Sequence, residues 1–172
     1  MSKTRFLWWK FFAVWVCFLL LHFAYGAFPT LFFRIIAEAN ETVFFHMKML
    51  FVAYSLVSLV EYLVRRAQIK STSTFFASRA LIAVAYPWLA ITFWFLAWAL
   101  HVQLPLVWEL IYANVMIALG IYLALRLEEV FESMEFRPAL KWMILLVFGF
   151  AVLAYFSFSL NPPVHFFTTP PA

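Results

Sequence analysis

Residues 39–66 read ANETVFFHMKMLFVAYSLVSLVEYLVRR. The run is apolar enough to cross a bilayer, whose roughly 30 Å hydrocarbon core takes about 20 helical residues. It nevertheless carries Glu41, His46, Lys48, Ser55, Ser58, Glu61 and Tyr62. Ionisable groups in a spanning segment are costly to desolvate, so each needs a partner, water or an interface beside it. A functional site is therefore expected next to this helix.

Composition supports a membrane setting for the whole chain. Of 172 residues, 67% are hydrophobic and 12% charged. A soluble domain needs about 25% charged residues to wet its surface, so half that value places much of this surface in lipid. Five segments have the length and apolarity to span: about 7–28, 42–64, 76–100, 106–126 and 140–160. The expectation is an all-α, polytopic membrane protein, a bundle of five transmembrane helices forming a single domain, with a short tail at 161–172. The basic start followed by an apolar run resembles a signal peptide, but Phe6–Phe28 is too long and Ala24–Ala27 is a weak cleavage site, so the run reads as a retained first helix. Single Cys17 gives no intramolecular disulfide. With three glycines in all, phosphate-binding and dinucleotide loops have no place here.

Lys and Arg in the loops set the expected orientation. With the N-terminus inside, Lys3, Arg5, Lys10, Arg65, Arg66, Lys70, Arg79, Arg126, Arg137 and Lys141 fall on the inner side, and only Arg34 and Lys48 on the outer. That bias predicts an N-terminus inside and a C-terminus outside, in a cell membrane. The basic residues serve as an orientation signal and not as a nucleic-acid patch. The segment Leu127–Ala139, LEEVFESMEFRPA, reads as a cytoplasmic turn of helix with Glu128, Glu129, Glu132 and Glu135 on its wet side.

This orientation gathers Asn40, Glu41, His46 and Lys48 at the outer mouth of the second span, Glu109 at the start of the fourth, and His22, His101 and His165 on the same side. Helical geometry puts Glu41, Lys48, Ser55 and Tyr62 on one stripe, with Ser58 close by. Such a stripe faces a helix partner or a water-filled cavity rather than lipid, and small Ser residues permit close packing. Asn40 as an N-cap and Glu41 in the first turn are explained by capping and the macrodipole alone. Lys48 reads as a stem that snorkels to the headgroups, or with Arg34 as an anion clamp. His46, His165 and Glu41, with Glu109, are candidate ligands of a divalent metal, since imidazole and carboxylate suit zinc and a catalytic site uses three protein ligands. No HExxH, CxxC or HxH spacing supports that reading. Glu61 and Arg65 form an i, i+4 pair read as structural, a lone carboxylate without a chain of polar partners. Pro87 suggests a kink, Gly120 a close helix contact, and Pro105 the start of the fourth span.

The pattern Asn40-Glu41-x4-His46-x-Lys48, then Glu61-Tyr62, then Pro162-Pro163 with His165, resembles a family of uncharacterised bacterial and archaeal polytopic membrane proteins, a domain of unknown function. The similarity in layout covers most of the chain. Phe45 and Ala53 stand where the family has an acid and a Pro, and His165 comes one place late in a tail that lacks an Asp. The resemblance implies a site around these residues without implying its chemistry. Three functions follow as expectations. The first is an outward-facing polar pocket, built from Asn40, Glu41, His46, Lys48, Glu109 and His165, that binds a small ligand, lipid headgroup or ion. The second is a membrane-embedded, metal-dependent hydrolase or transferase acting on lipid-like substrates. The third is a non-catalytic subunit or assembly factor, with a partner membrane protein or a homo-oligomer as its context.

Overall fold

The structure, a computed structural model, describes residues 3–37, 42–100, 102 and 104–161. Asn40, Glu41, His101 and the tail with His165 lie outside them. The described residues form six helices and no strand: α1 (Lys3–Ala27), α2 (Leu31–Ile36), α3 (Val43–Arg65), α4 (Thr72–Ala99), α5 (Leu106–Glu132) and α6 (Pro138–Leu160). All but α2 are long and apolar enough to cross a membrane. The expected spans recur with corrected ends. α4 begins at Thr72 and not at 76, because the Ser71 hydroxyl accepts from the Thr74 N–H at 3.3 Å and caps it. α5 runs on to Glu132, six residues past the expected end, because part of its charged end packs inward as described below.

Local chemistry accounts for the other starts. Thr30 and Thr42 are the N-caps of α2 and α3, each side-chain oxygen accepting from an N–H three residues on at 3.4 Å. The cap of α3 is therefore Thr42 and not Asn40. Pro138 opens α6, where its missing N–H costs nothing, and Pro105 is the N-cap residue of α5, which starts one residue later.

Helices α1, α3, α4 and α5 close a four-membered ring, each packed on the next and α5 back on α1. α6 lies outside it, against α4 and α2. α3 is the central element: 67% of its most apolar window is buried, against 17% to 33% for the other four long helices. Where α4 meets α5 the backbones come close. A Cβ on Gly120 would sit 3.1 Å from the Ala90 Cβ and 3.3 Å from its Cα and from the Tyr86 ring. Further along, the Tyr112 hydroxyl of α5 donates to the Phe93 carbonyl at 2.7 Å and accepts from the Ala97 N–H at 3.1 Å, inserting itself into the α4 ladder beyond Pro87.

The Gly120 contact makes a graded prediction. In Gly120→Ala the gain in helix propensity, about 1 kcal/mol, offsets a shift of a few tenths of an ångström, and the thermal unfolding midpoint in detergent stays close to wild type. Gly120→Leu overpacks against the Ala90 backbone and lowers stability by about 1–3 kcal/mol, seen as a depressed midpoint.

Candidate functional site

Among the described residues, the buried charges other than Lys48 converge at the end of the ring where α1 and α4 begin and α3 and α5 finish. Each arrives through helical phase. On α1 the buried positions are Leu7, Lys10, Phe11, Val14, Phe18 and Leu21, a seam of threes and fours that includes a lysine. On α4, Phe75, Arg79, Ile82, Ala83, Tyr86 and Ala90 follow the same spacing. On α5 the buried face runs Ile121, Ala124, Leu125, Glu128, with Glu132 one turn on. On α3, Tyr54 and Glu61 lie seven residues apart and so on one face.

Glu61, fully buried, is the node. Its Oε2 accepts from Lys10 Nζ at 2.5 Å, and its Oε1 from Arg65 at 2.5 Å and Arg79 at 2.6 Å. Lys10 Nζ also donates to Glu128 Oε2 at 2.5 Å and lies 4.9 Å from the centre of the Tyr54 ring. The Tyr54 hydroxyl donates to the same Glu128 oxygen. Arg79 reaches Glu132 at 2.8 Å and Glu128 at 3.2 Å, donates to Ser78 Oγ at 3.0 Å, and stacks 4.0 Å over Phe75. Arg65 lies 3.7 Å from Glu132. Three cations thus meet three carboxylates, with every ring helix contributing. A polar cavity of about 1480 Å³ opens onto the network, lined by Lys10, Glu128 and Glu132 and, towards solvent, by exposed Lys70, Arg126 and Glu135.

Glu61, Glu128 and Glu132 are, among the described residues, the one group of three that brings potential metal-ligating atoms within 4.8 Å of one another. Their oxygens already accept from ammonium and guanidinium groups at ion-pair distance, so a divalent ion would have to displace those cations. The chemistry of this donor set is ion pairing. Two expectations are corrected. Glu128 is buried and not on a wet face, since it shares the phase of Ile121 and Leu125; Glu129 and Glu135 are exposed, and Glu132 lies between. Glu61 is no lone carboxylate but the centre of a chain of polar partners. Lys10, Tyr54, Arg79, Glu128 and Glu132 were legible as site residues only by following the apolar seam of each helix into its charged end.

At the opposite end, Lys48 is fully buried and does not snorkel. Its Nζ donates to the Arg34 carbonyl in the last turn of α2 and to Ser159 Oγ of α6, both at 3.0 Å, and lies 4.2 Å from the Phe45 ring centre. It ties three helices together. His46, part-buried, has Nδ1 2.8 Å from the Thr42 carbonyl, and its ring lies 5.6 Å from that of His22 on α1. Glu109 is exposed in the first turn of α5, where a carboxylate complements the macrodipole. Asn40, Glu41 and His165 are outside the described residues.

Comparison with protein families, curated proteins and solved structures finds no match for this chain.

Breaking a buried ion network by removing one member leaves a charge uncompensated, at a cost of about 3–5 kcal/mol. Glu61→Gln and Lys10→Met each depress the unfolding midpoint strongly. The double variant restores charge balance and recovers part of the loss, so a double-mutant cycle returns a large non-additive term. Additive losses would show that the two side chains are not coupled.

Proposed function

We propose that this chain is a multi-pass protein of the cell membrane, with its N-terminus in the cytoplasm and its C-terminus outside, that binds a small charged ligand or lipid headgroup at its charged end. The observation that carries the reading is the buried network at the floor of an open polar cavity. A bundle gains little stability from such a network, because desolvating six charges offsets most of their attraction. Ionisable groups at this depth mark ligand or ion pathways by default. Around the compensated floor, exposed Lys70 and Arg126 and the carboxylates of Glu129 and Glu135 offer both signs of charge to a polar molecule entering from the cytoplasm. The division of Lys and Arg between the two ends supports that orientation.

A second reading keeps the outer pocket. The His22–His46 ring pair, 5.6 Å apart beside Phe18, supports a ligand or metal ion bound there. Its measure is the metal content of protein purified without chelator: near-stoichiometric divalent metal that is lost in His46→Ala and His165→Ala favours it, and metal-free wild type removes it.

Two measurements test the main reading. In a Cys17→Ser background, Gln68→Cys between α3 and α4 is labelled by a membrane-impermeant maleimide only after the cell is opened, whereas Val102→Cys between α4 and α5 is labelled in intact cells. The reverse pattern overturns the orientation. Glycerol 3-phosphate, phosphoethanolamine and inorganic phosphate are then titrated against the unfolding midpoint. At least one raises it, as binding to the folded state must; saturation to 100 times Kd is worth about 2.7 kcal/mol. The shift disappears in Lys70→Ala/Arg126→Ala. No shift with any of the three at millimolar concentration sinks the ligand reading.

A further inference from the structure

A second cavity lies on the flank of the bundle. It has a volume of about 790 Å³ and runs between α3 and α6 over α4, within the roughly 300–1,000 Å³ typical of small-ligand pockets. Its deep end is closed where α3 meets α6, through Phe51 and Phe148 with ring centres 5.3 Å apart. From there it widens towards the first turns of α4 and α6, at Ser73 and Lys141. From Pro138 to Phe148 the groove follows ten helical steps, about 15 Å at 1.5 Å per residue. That is half of the roughly 30 Å hydrocarbon core, the depth of one leaflet. Leu56, Leu59 and Trp142 line it and are 44%, 50% and 73% exposed, so the groove opens sideways onto the surface that would face acyl chains.

Three polar features inside it lack what they need. Ser58, 5% exposed, and Ser55, a turn deeper, both line the groove, and neither hydroxyl has a hydrogen-bond partner. A serine hydroxyl in a helix that is buried without an acceptor is costly. At the open end Lys141 Nζ donates to Ser73 Oγ at 2.9 Å and Thr74 Oγ1 at 3.1 Å, and no carboxylate among the described residues lies within ion-pair distance of it. Arg79 forms the wall towards the charge network, where its own charge is compensated.

We propose that this groove binds one anionic phospholipid of the adjacent leaflet. An acyl chain fills the apolar trough up to Phe148, Ser58 donates to the ester region once its buried hydroxyl rotates towards the groove, and the phosphate is held by Lys141 with the Ser73 hydroxyl. The site rests on the membrane reading above but not on the ligand of the polar cavity. Lys141 borders both cavities, so residues that belong to one alone distinguish them.

The test is native mass spectrometry of the detergent-purified protein titrated with dioleoylphosphatidylglycerol or dioleoylphosphatidylcholine. One phosphatidylglycerol is expected to bind about tenfold more tightly than phosphatidylcholine, a difference of 1.4 kcal/mol. Lys141→Ala removes the preference. Ala83→Leu, which fills the trough from α4, abolishes the specific adduct of both lipids. Leu145→Trp fills it from the exposed side and serves the same purpose should Ala83→Leu not fold. Arg66→Ala, which removes an exposed cation lining neither cavity, leaves lipid binding unchanged. Equal retention of the two lipids, or persistence of the adduct in both filled variants, overturns the proposal. So does loss of binding in Lys70→Ala, which would move the lipid to the polar cavity. A dimer that becomes monomeric when the groove is filled would make it a helix-packing interface instead.

Discussion

A charge taken out of water in an apolar bundle must find its opposite, and this constraint organises one end of the molecule. Glu61 accepts from cations carried by α1, α4 and its own helix, while Arg79 spans from α4 to two carboxylates on α5. Moving any ring helix along its axis by one turn would leave at least one of these groups buried and unpaired. The network therefore sets the register of four helices at once, a role in which buried polar groups are well attested. Its composition of three cations and three carboxylates is what makes the burial tolerable.

Away from that end the helices are held by different means. If lipid surrounds the bundle, apolar contact between helices gains little over apolar contact with acyl chains, so close approach and polar ties matter more. Gly120 against Ala90 gives the close approach. Lys48 gives the polar tie at the far end, donating to the Arg34 carbonyl and the Ser159 hydroxyl to fasten α2 and α6 onto α3. Between the two polar ends, the packing of α3 on α6 is aromatic: Phe44, Phe51, Phe148 and Tyr155. Where those contacts stop, the flank groove begins.

Much of the architecture was legible from the chain alone. Five apolar runs of spanning length, the central importance of the run at 42–64 and the close contact at Gly120 all follow from length, composition and residue size. The histidines and Lys48 were legible as unusual, but their partners were not. A long stem near a helix end points to the headgroups, whereas Ser159, 111 residues away, accepts the hydrogen bond from Lys48. Standing in a charged stretch, Glu128 and Glu132 read as facing water. Composition outweighed phase, and phase was the better guide: three and seven residues back from Glu128 lie buried Leu125 and Ile121.

The sequence by itself determined that the chain is helical, apolar enough to span a membrane, and polar on one face of its second span. These are consequences of residue type and local spacing, which act within a single helix. Which charges meet, and that their end of the bundle opens to a polar cavity, was decided only by the tertiary structure. Lys10 and Glu128 are separated by 118 positions, and no local rule links them. Their contact exists because α1 packs on α5 and so closes the ring with α3 and α4, and a low-dielectric interior favours pairing the charges brought together there.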